Sequence, residues 1–488
     1  MSAQTETRLL SKKTYTGFRE YPEKVLQFGE GNFLRCFVDW MFHELNKKAN
    51  FNGSIVVVQP IDRGMVDMLN DQDGLYTLYL RGLVNGEPQS THDTIDVISR
   101  GINPYADFGA YLQTAENPEM RYIISNTTEA GISFNENDQP GDQPPASFPG
   151  KLAVWLNHRY QTFKGDASKG VHIIPCELIE KNGENLKRIL LQLAEKWGYE
   201  QGFVQWLNEA CTFSNTLVDR IVPGYPRERI AEITAELGYE DKQVVEGEPF
   251  HLWVIEAPEN LQQELPFPSI GLDVKYVKDI TPYRTRKVRI LNGAHTTLVP
   301  VAYLYGIDTV RESVEHPVVG KFLRDAIFEE IIPTLDLSKE ELEQFAGEVI
   351  DRFRNPYIKH LLMSISLNSW PKFETRVLPS VLEYVKRKGS VPQHLAFSLA
   401  ATIAFYKGKR GEETIALNDD AGNLELLKNA WAKADGSEAS LKNIVTEVLG
   451  YQKNWKQDLN AVPGLTEAVT KHLINIEQQG MQKAIELI

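Results

Sequence analysis

The sequence predicts an α/β fold. An N-terminal domain over residues 1–280 carries a mainly parallel sheet, and a mainly α-helical C-terminal domain occupies 281–488. Three observations predict this. Short β-branched apolar runs alternate with amphipathic stretches up to about residue 280, as in sheets covered by helices on both faces. The first run ends in a Gly-x-Gly turn that opens a helical pattern. Beyond residue 280 the β-rich runs stop, and apolar residues recur at three- and four-residue spacing.

The strand candidates are 25–28, 54–58, 121–125, 171–174, 251–255 and 274–277. The run 54–58 is Ser-Ile-Val-Val-Val, apolar without alternation, as a strand buried on both faces requires. Leucines at helical spacing mark 185–197. Residues 135–149 are rich in Pro, Asp, Gln and Gly and read as a long surface loop. The helical runs of the second half are 318–332, 339–353, 378–388, 394–407 and 465–488. Pro333, Pro356 and Pro392 punctuate them.

The chain has 488 residues, 42% hydrophobic and 24% charged, which is ordinary for globular domains with cores large enough to need no staple. Its 52 Lys+Arg against 66 Asp+Glu give a net charge of −14, which argues against general nucleic-acid binding and against a polybasic membrane anchor. Any anion it handles must meet a local concentration of positive charge. Cys36, Cys176 and Cys211 form no Cys-x-x-Cys pair or disulfide framework, which fits a reducing compartment. The opening Met1-Ser2-Ala3-Gln4-Thr5-Glu6 is polar, no signal-type run follows, and no stretch approaches a membrane span. A cytoplasmic location is expected.

The turn reads Phe28-Gly29-Glu30-Gly31-Asn32-Phe33-Leu34-Arg35. Gly29 allows a tight turn, and Gly31 lets backbone approach a pyrophosphate at the helix N-terminus. This is the start of a Rossmann-type dinucleotide-binding domain, although Leu34 stands where the fingerprint has its third glycine. The second strand leads into Gln59-Pro60-Ile61-Asp62-Arg63. Asp62 either binds the adenosine ribose or caps the next helix, and Arg63 could take a 2′-phosphate. The balance leans to NAD. The residues expected to meet the cofactor are Phe28, Gly29, Gly31, Asn32, Phe33, Arg35, Asp62 and Asn126.

At the junction of the halves stands Lys287-Val288-Arg289-Ile290-Leu291-Asn292-Gly293-Ala294-His295, a K-x-x-x-x-N-x-x-H pattern. At about 100° per residue the three polar side chains fall near 0°, 140° and 80°, on one broad side of a helix. Hydride transfer to a ketone needs a proton donor at the developing alkoxide and hydrogen bonds to its oxygen. A partly desolvated lysine can supply the first, and an amide and an imidazole the second. The alternative is a surface lysine, an Asn-Gly break and a core histidine; the position of the motif between the two domains favours the chemistry.

At these residues the chain resembles the polyol-specific long-chain dehydrogenase/reductase (mannitol dehydrogenase) family, nearly end to end. The resemblance is carried by the turn, Thr128-Glu129-Ala130-Gly131, Val218-Asp219-Arg220-Ile221, residues 287–295 and Arg352-Phe353-Arg354-Asn355-Pro356. It implies a zinc-independent, NAD-linked enzyme with Lys287 as general acid/base, Asn292 and His295 on the substrate oxygen, and Asp219 in support. Within the family the hexuronate branch is favoured by Ile174-Pro175-Cys176-Glu177-Leu178 and by Tyr357-Ile358-Lys359-His360 after Pro356. The implied reaction is reversible reduction of a keto-hexuronate, tagaturonate first, with fructuronate or fructose as alternatives. A non-catalytic nucleotide-binding protein is the reading from another class.

A hexuronate calls for cations, and Arg352, Arg354, Lys359 and His360 are the expected carboxylate partners, with Arg376 a further candidate. Leu178 occupies the position of an oxyanion-site asparagine in mannitol-type members, so another donor is expected, such as Asn182. Arg284 stands where an acid is frequent in the family. Scattered histidines and the absence of HExxH predict no metal. Glu129 either lines the cleft or caps a helix. The expected partner is a small hexuronate, with no nucleic acid and no membrane; the oligomeric state is not legible.

Overall fold

The structure is a computed structural model that describes residues 8–128 and 130–488. The polar opening segment 1–7 and Glu129 lie outside the described residues. The described residues form two compact units, one of those up to Arg81 with Gln89–Ile280, the other of Gly82–Pro88 with Thr281–Ile488.

The first unit is organised by six parallel strands: β1 (Glu23–Phe28), β2 (Ser54–Val58), β3 (Ile98–Ile102), β4 (Tyr122–Ser125), β5 (His172–Pro175) and β6 (Thr212–Phe213). Their order across the sheet is β3-β2-β1-β4-β5-β6. That is the doubly wound arrangement of dinucleotide-binding domains, with its switch point between β1 and β4. Residues alternate between two cores. Val25, Ile55 and Val57 face one, and Leu26, Phe28, Val56 and Val58 face the other. Each such side chain contributes about 1.5–3 kcal/mol by leaving water, so the unbroken apolar run of β2 commits it to the middle of the sheet.

Two smaller sheets lie in this unit, except for the hairpin tip Gly82–Pro88, which belongs to the second. One has the order Val245–Gly247, Tyr76–Val84, Glu87–Ile95. Its hairpin turns at Asn85-Gly86, both in the left-handed region at φ 53° and 80°, the requirement of a type I′ turn. The other orders Val274–Val277, Leu252–Glu256 and Asn215–Asp219. The segment expected to be loop through 149 is irregular only to Ser147. There the serine hydroxyl caps helix Phe148–Thr162, and Pro149 sits in the first turn, where its missing N–H costs nothing.

The Thr281–Ile488 part of the second unit is helical, with one two-residue strand pair at Lys409–Arg410 and Glu413–Thr414 among the described residues. Its centre is the helix Gln393–Phe405, buried from Leu395 onward. Gly293–Tyr305 and Leu465–Gln479 pack on it, and Ser398 Oγ donates to the Thr297 carbonyl at 2.9 Å. Trp370 and Trp455, both fully buried, meet at 4.9 Å. The run 318–332 is not one α-helix: Pro317–Asp325 passes into a π segment, Ala326–Ile331, and a 3-10 turn at Ile332–Thr334. No described helix is long and apolar enough to cross a membrane. All three cysteines are free and buried.

Candidate active site

The glycine turn leaves β1 at the switch point. Gly29 takes φ 121°, a conformation that side chains disfavour, and a Cβ there would stand 3.0 Å from the Asn126 carbonyl. Its N–H donates to Val58. Leu34, where the fingerprint has glycine, is buried and reaches within 3.3 Å of the same Cβ position. Gly31 is different. Its φ is −68° and ψ 164°, open to any residue, and a Cβ there would meet nothing within 4 Å. Nothing in the protein's own packing requires glycine at 31. A partner that must approach the backbone at the start of the following helix does, and a pyrophosphate fits that need.

The helix over 32–49 carries a π segment at Arg35–Asp39. Arg35 is buried and its donors are taken within the protein, by the Glu30 carbonyl at 3.1 Å, the Gln243 carbonyl and Asn32 Oδ1 at 2.8 Å. It shapes the turn rather than reaching out of it. Phe28 is fully buried against Phe148 and Tyr111, so only its backbone faces the strand end. Phe33 stacks on Phe37 with ring centroids 5.0 Å apart. Glu30 is buried, which pushes its pKa up, and it accepts from the Met65 N–H at 3.2 Å, tying the turn to the loop after β2. Asp62, in that loop, is exposed and caps nothing; helix Val66–Asp71 begins at Met65 without a side-chain cap.

Beyond β4, Asn126 donates to the Cys176 carbonyl at 2.8 Å. The buried Glu177 accepts from Ser125 Oγ and from the N–H and hydroxyl of Thr127, at 2.9–3.0 Å. Burial raises its pKa against those bonds. Asn182 does not serve as the extra donor. It is fully buried; its amide donates to the Pro175 and Glu177 carbonyls at 3.1 Å, and its oxygen accepts from Thr216 N–H at 2.8 Å. Leu178 is 58% exposed. Asp219 ends its strand buried, paired in register with Leu252. Its neighbour Arg220 is held by backbone carbonyls and lies 4.2 Å from the Trp40 ring.

The second set stands in the helical unit, on one helix over 281–305. Lys287–Asn292 is a π segment. In a π turn residue i+5 bonds back to residue i, so each residue turns through less than 100° and Lys287 and Asn292 come closer in angle than the roughly 140° of an α-helix. Lys287 and Asn292 are half-buried and His295 is buried. The His295 ring stacks on Phe353 at 4.1 Å and meets His360 edge-on at 5.2 Å. Its Nε2 is buried without a hydrogen-bond partner. Burial first, then His360, Arg352, Arg376 and Lys372, push its pKa well below the ordinary value, so the imidazole is neutral. A neutral imidazole with an unpaired buried nitrogen can hold a substrate oxygen.

The basic residues divide. Arg352 is buried and His360 half-buried beside His295. Arg354 is half-buried, its Nε buried and unpartnered. Lys359 is exposed and Arg284 half-buried. Arg289, two residues after Lys287, donates to Ser380 Oγ at 2.8 Å, and burial brings its pKa down to about 10. Lys372, which sequence reasoning missed, bears on His295 together with Arg376. Its signal was present: two cations one helical turn apart, a like-charge spacing that a solvent-facing helix gains nothing from.

Two family models match the chain: the mannitol dehydrogenase Rossmann domain over residues 23–269 and the mannitol dehydrogenase C-terminal domain over 279–477. The altronate oxidoreductase of Bacillus subtilis is 51% identical, over 98% of this chain and 97% of the relative. That of Phocaeicola vulgatus is 48% identical, over 98% and 99%. Among solved structures, a D-sorbitol dehydrogenase in substrate-free form superposes with TM-score 0.81 at 22% identity, covering 98% of this chain and 100% of the other. A Pseudomonas fluorescens mannitol 2-dehydrogenase, in ternary complex with NAD and D-mannitol, gives 0.66 at 21% over 98% and 99%. These two likenesses concern the fold.

Proposed function

The chain belongs to the mannitol dehydrogenase family, and from that membership we propose that it is an altronate oxidoreductase, interconverting D-altronate and D-tagaturonate with NAD(H). As a family member it is an oxidoreductase acting on CH–OH groups. The observation that carries the substrate class is His295. Its unpartnered Nε2 lies in surroundings where the side chains that act most strongly on it are all basic. A neutral polyol would leave the half-buried Arg376 guanidinium without an anion, which is costly; a uronate supplies one.

The first unit is the dinucleotide-binding domain in this reading, and the second the substrate domain. The open Cβ direction at Gly31 and the free N–H groups at the start of the 32–49 helix fit a pyrophosphate. Gly29, Asn32, Phe33 and Asn126 form the rim of that site, with Arg35 bracing it. Asp62 is exposed and suits a ribose diol, which favours NAD over its 2′-phosphorylated form. When bound, the nicotinamide gives or takes the hydride. Asn292 and the neutral His295 hold the ketone oxygen as negative charge develops on it, and the Lys287 ammonium delivers the proton to that oxygen. In the reverse direction the Lys287 amine takes the hydroxyl proton. Asp219 supports the same chemistry, and Arg352, Arg354, Lys359 and His360 supply positive potential for the uronate. Three free, buried thiols suit a reducing cytoplasm.

A spectrophotometric panel of D-tagaturonate, D-fructuronate and D-fructose against NADH and NADPH tests the proposal. Tagaturonate with NADH should show the highest kcat/KM. A higher value for fructose than for either uronate would sink it.

A further inference from the structure

Two cations that bear on His295 and have not yet been given a role lie on the helix Ser369–Arg376. Lys372 and Arg376 stand one turn apart there, both half-buried. Lys372 Nζ donates to the Ile365 carbonyl at 2.8 Å. The Arg376 guanidinium makes no hydrogen bond or ion pair among the described residues. Five donors in a fixed fork, half out of water and with no acceptor, suit a planar anion. The helix ends against the Lys-Asn-His helix at its glycine: a Cβ on Gly293 would stand 3.1 Å from the Arg376 carbonyl. Glycine lets the two backbones come that close between Asn292 and His295 without either giving way.

We propose that Arg376 and Lys372 are the specificity-determining grip on the substrate's carboxylate, Arg376 as a two-pronged donor and Lys372 as a point charge beside it. This rests on the uronate reading given above and deepens it. His295, with its unpartnered Nε2, then sits at the reacting oxygen while the carboxylate lies toward the Ser369–Arg376 helix. Both cations act on His295, whereas Arg354 and Lys359 are not among the charges that bear most on it. Burial and mutual repulsion lower the pKa of Lys372, and burial that of Arg376, the penalty an arriving anion relieves.

The test compares D-tagaturonate with D-tagatose, the same ketose with a hydroxymethyl group in place of the carboxylate, using NADH and the full chain. Arg376→Gln and Lys372→Gln should each lose roughly ten- to hundredfold in kcat/KM on tagaturonate, the worth of a charged hydrogen bond, and far less on tagatose. NADH affinity should be unaffected. Equal losses on both substrates would overturn the grip. Arg376→Lys keeps the charge and loses the fork, so it should keep part of the uronate preference; full wild-type preference in it removes the two-pronged role, and it reads the same point should Arg376→Gln not fold. A wild-type enzyme that does not prefer tagaturonate to tagatose sinks the uronate reading itself, and the grip with it.

Discussion

Replacing Gly31 by alanine separates what this glycine does for a coenzyme from what it does for the fold. Its φ of −68° and ψ of 164° suit alanine without strain, and the added Cβ meets nothing within 4 Å. The fold therefore loses no contact, while the unfolded chain loses freedom. Stability should hold or rise by about 0.4–1 kcal/mol. The new methyl projects into the space from which a pyrophosphate would meet the N–H groups of the 32–49 helix. Pushing that anion outward forfeits one or two charge-assisted hydrogen bonds of about 1.5–3 kcal/mol each, so NADH should bind ten- to several-hundredfold more weakly. Fluorescence titration with NADH and thermal unfolding without it read the two effects. Unchanged NADH affinity would refute the reasoning, because then nothing approaches Gly31. A melting temperature several degrees lower would refute it differently, by showing that the glycine serves the fold. Gly29→Ala is the contrast: at φ 121° and 3.0 Å from a carbonyl it should lower stability as well.

Two further outcomes are expected. Lys287→Ala should abolish reduction of tagaturonate by three or more orders of magnitude while NADH binding, read by titration, stays intact; a near-normal rate removes the lysine from the chemistry. Asp39, wholly buried in the first π segment, has its pKa pushed by burial from 3.8 up to about 8. Between those values the unfolded chain releases a proton that the folded chain keeps, so stability falls as pH rises through that window and levels off above it. Asp39→Asn carries no such term. It should match wild type near pH 4 and exceed it at pH 7 by at most about 4 kcal/mol in urea unfolding, whereas parallel stability–pH curves would show Asp39 ionised in the fold.

How much of the fold is legible in the sequence depends on where each strand's water exposure falls. β2 and β4 are buried on both faces, so their apolar runs stand out against any background. Glu87–Ile95 is Glu-Pro-Gln-Ser-Thr-His-Asp-Thr-Ile and exposed over its first six residues, so no alternation marks it; only Asn85-Gly86 hints at the hairpin. The three-residue strand Val245–Gly247 is defined by its pairing with Tyr76–Val84 and a bridge from Gly224 to Glu246, neither of which leaves a local pattern. The helix from Phe148 was hidden for another reason. The buried Asp138 accepts from the Ala146 and Ser147 N–H groups and turns a polar segment into an anchored loop that ends in a cap.

The site shows the same division more sharply. Residue type and spacing brought out Lys287, Asn292 and His295, because hydride chemistry needs an acid and oxygen donors, and one helix can carry them. The helical wheel misjudged their angles, since it assumes a constant turn and the segment is π-helical. Residues whose donors are consumed at home misled most: Arg35 and Asn182 carry the right groups, but Glu30, Gln243, Pro175 and Glu177 accept them through backbone carbonyls no motif records. The converse holds for Arg376, whose side chain has nothing at home to bind. In a chain of net charge −14, a half-buried arginine without an acceptor is a local reversal of the overall field. Such a reversal is maintained against both desolvation and the neighbouring Lys372, and an anionic substrate is the compensation that makes it stable in use.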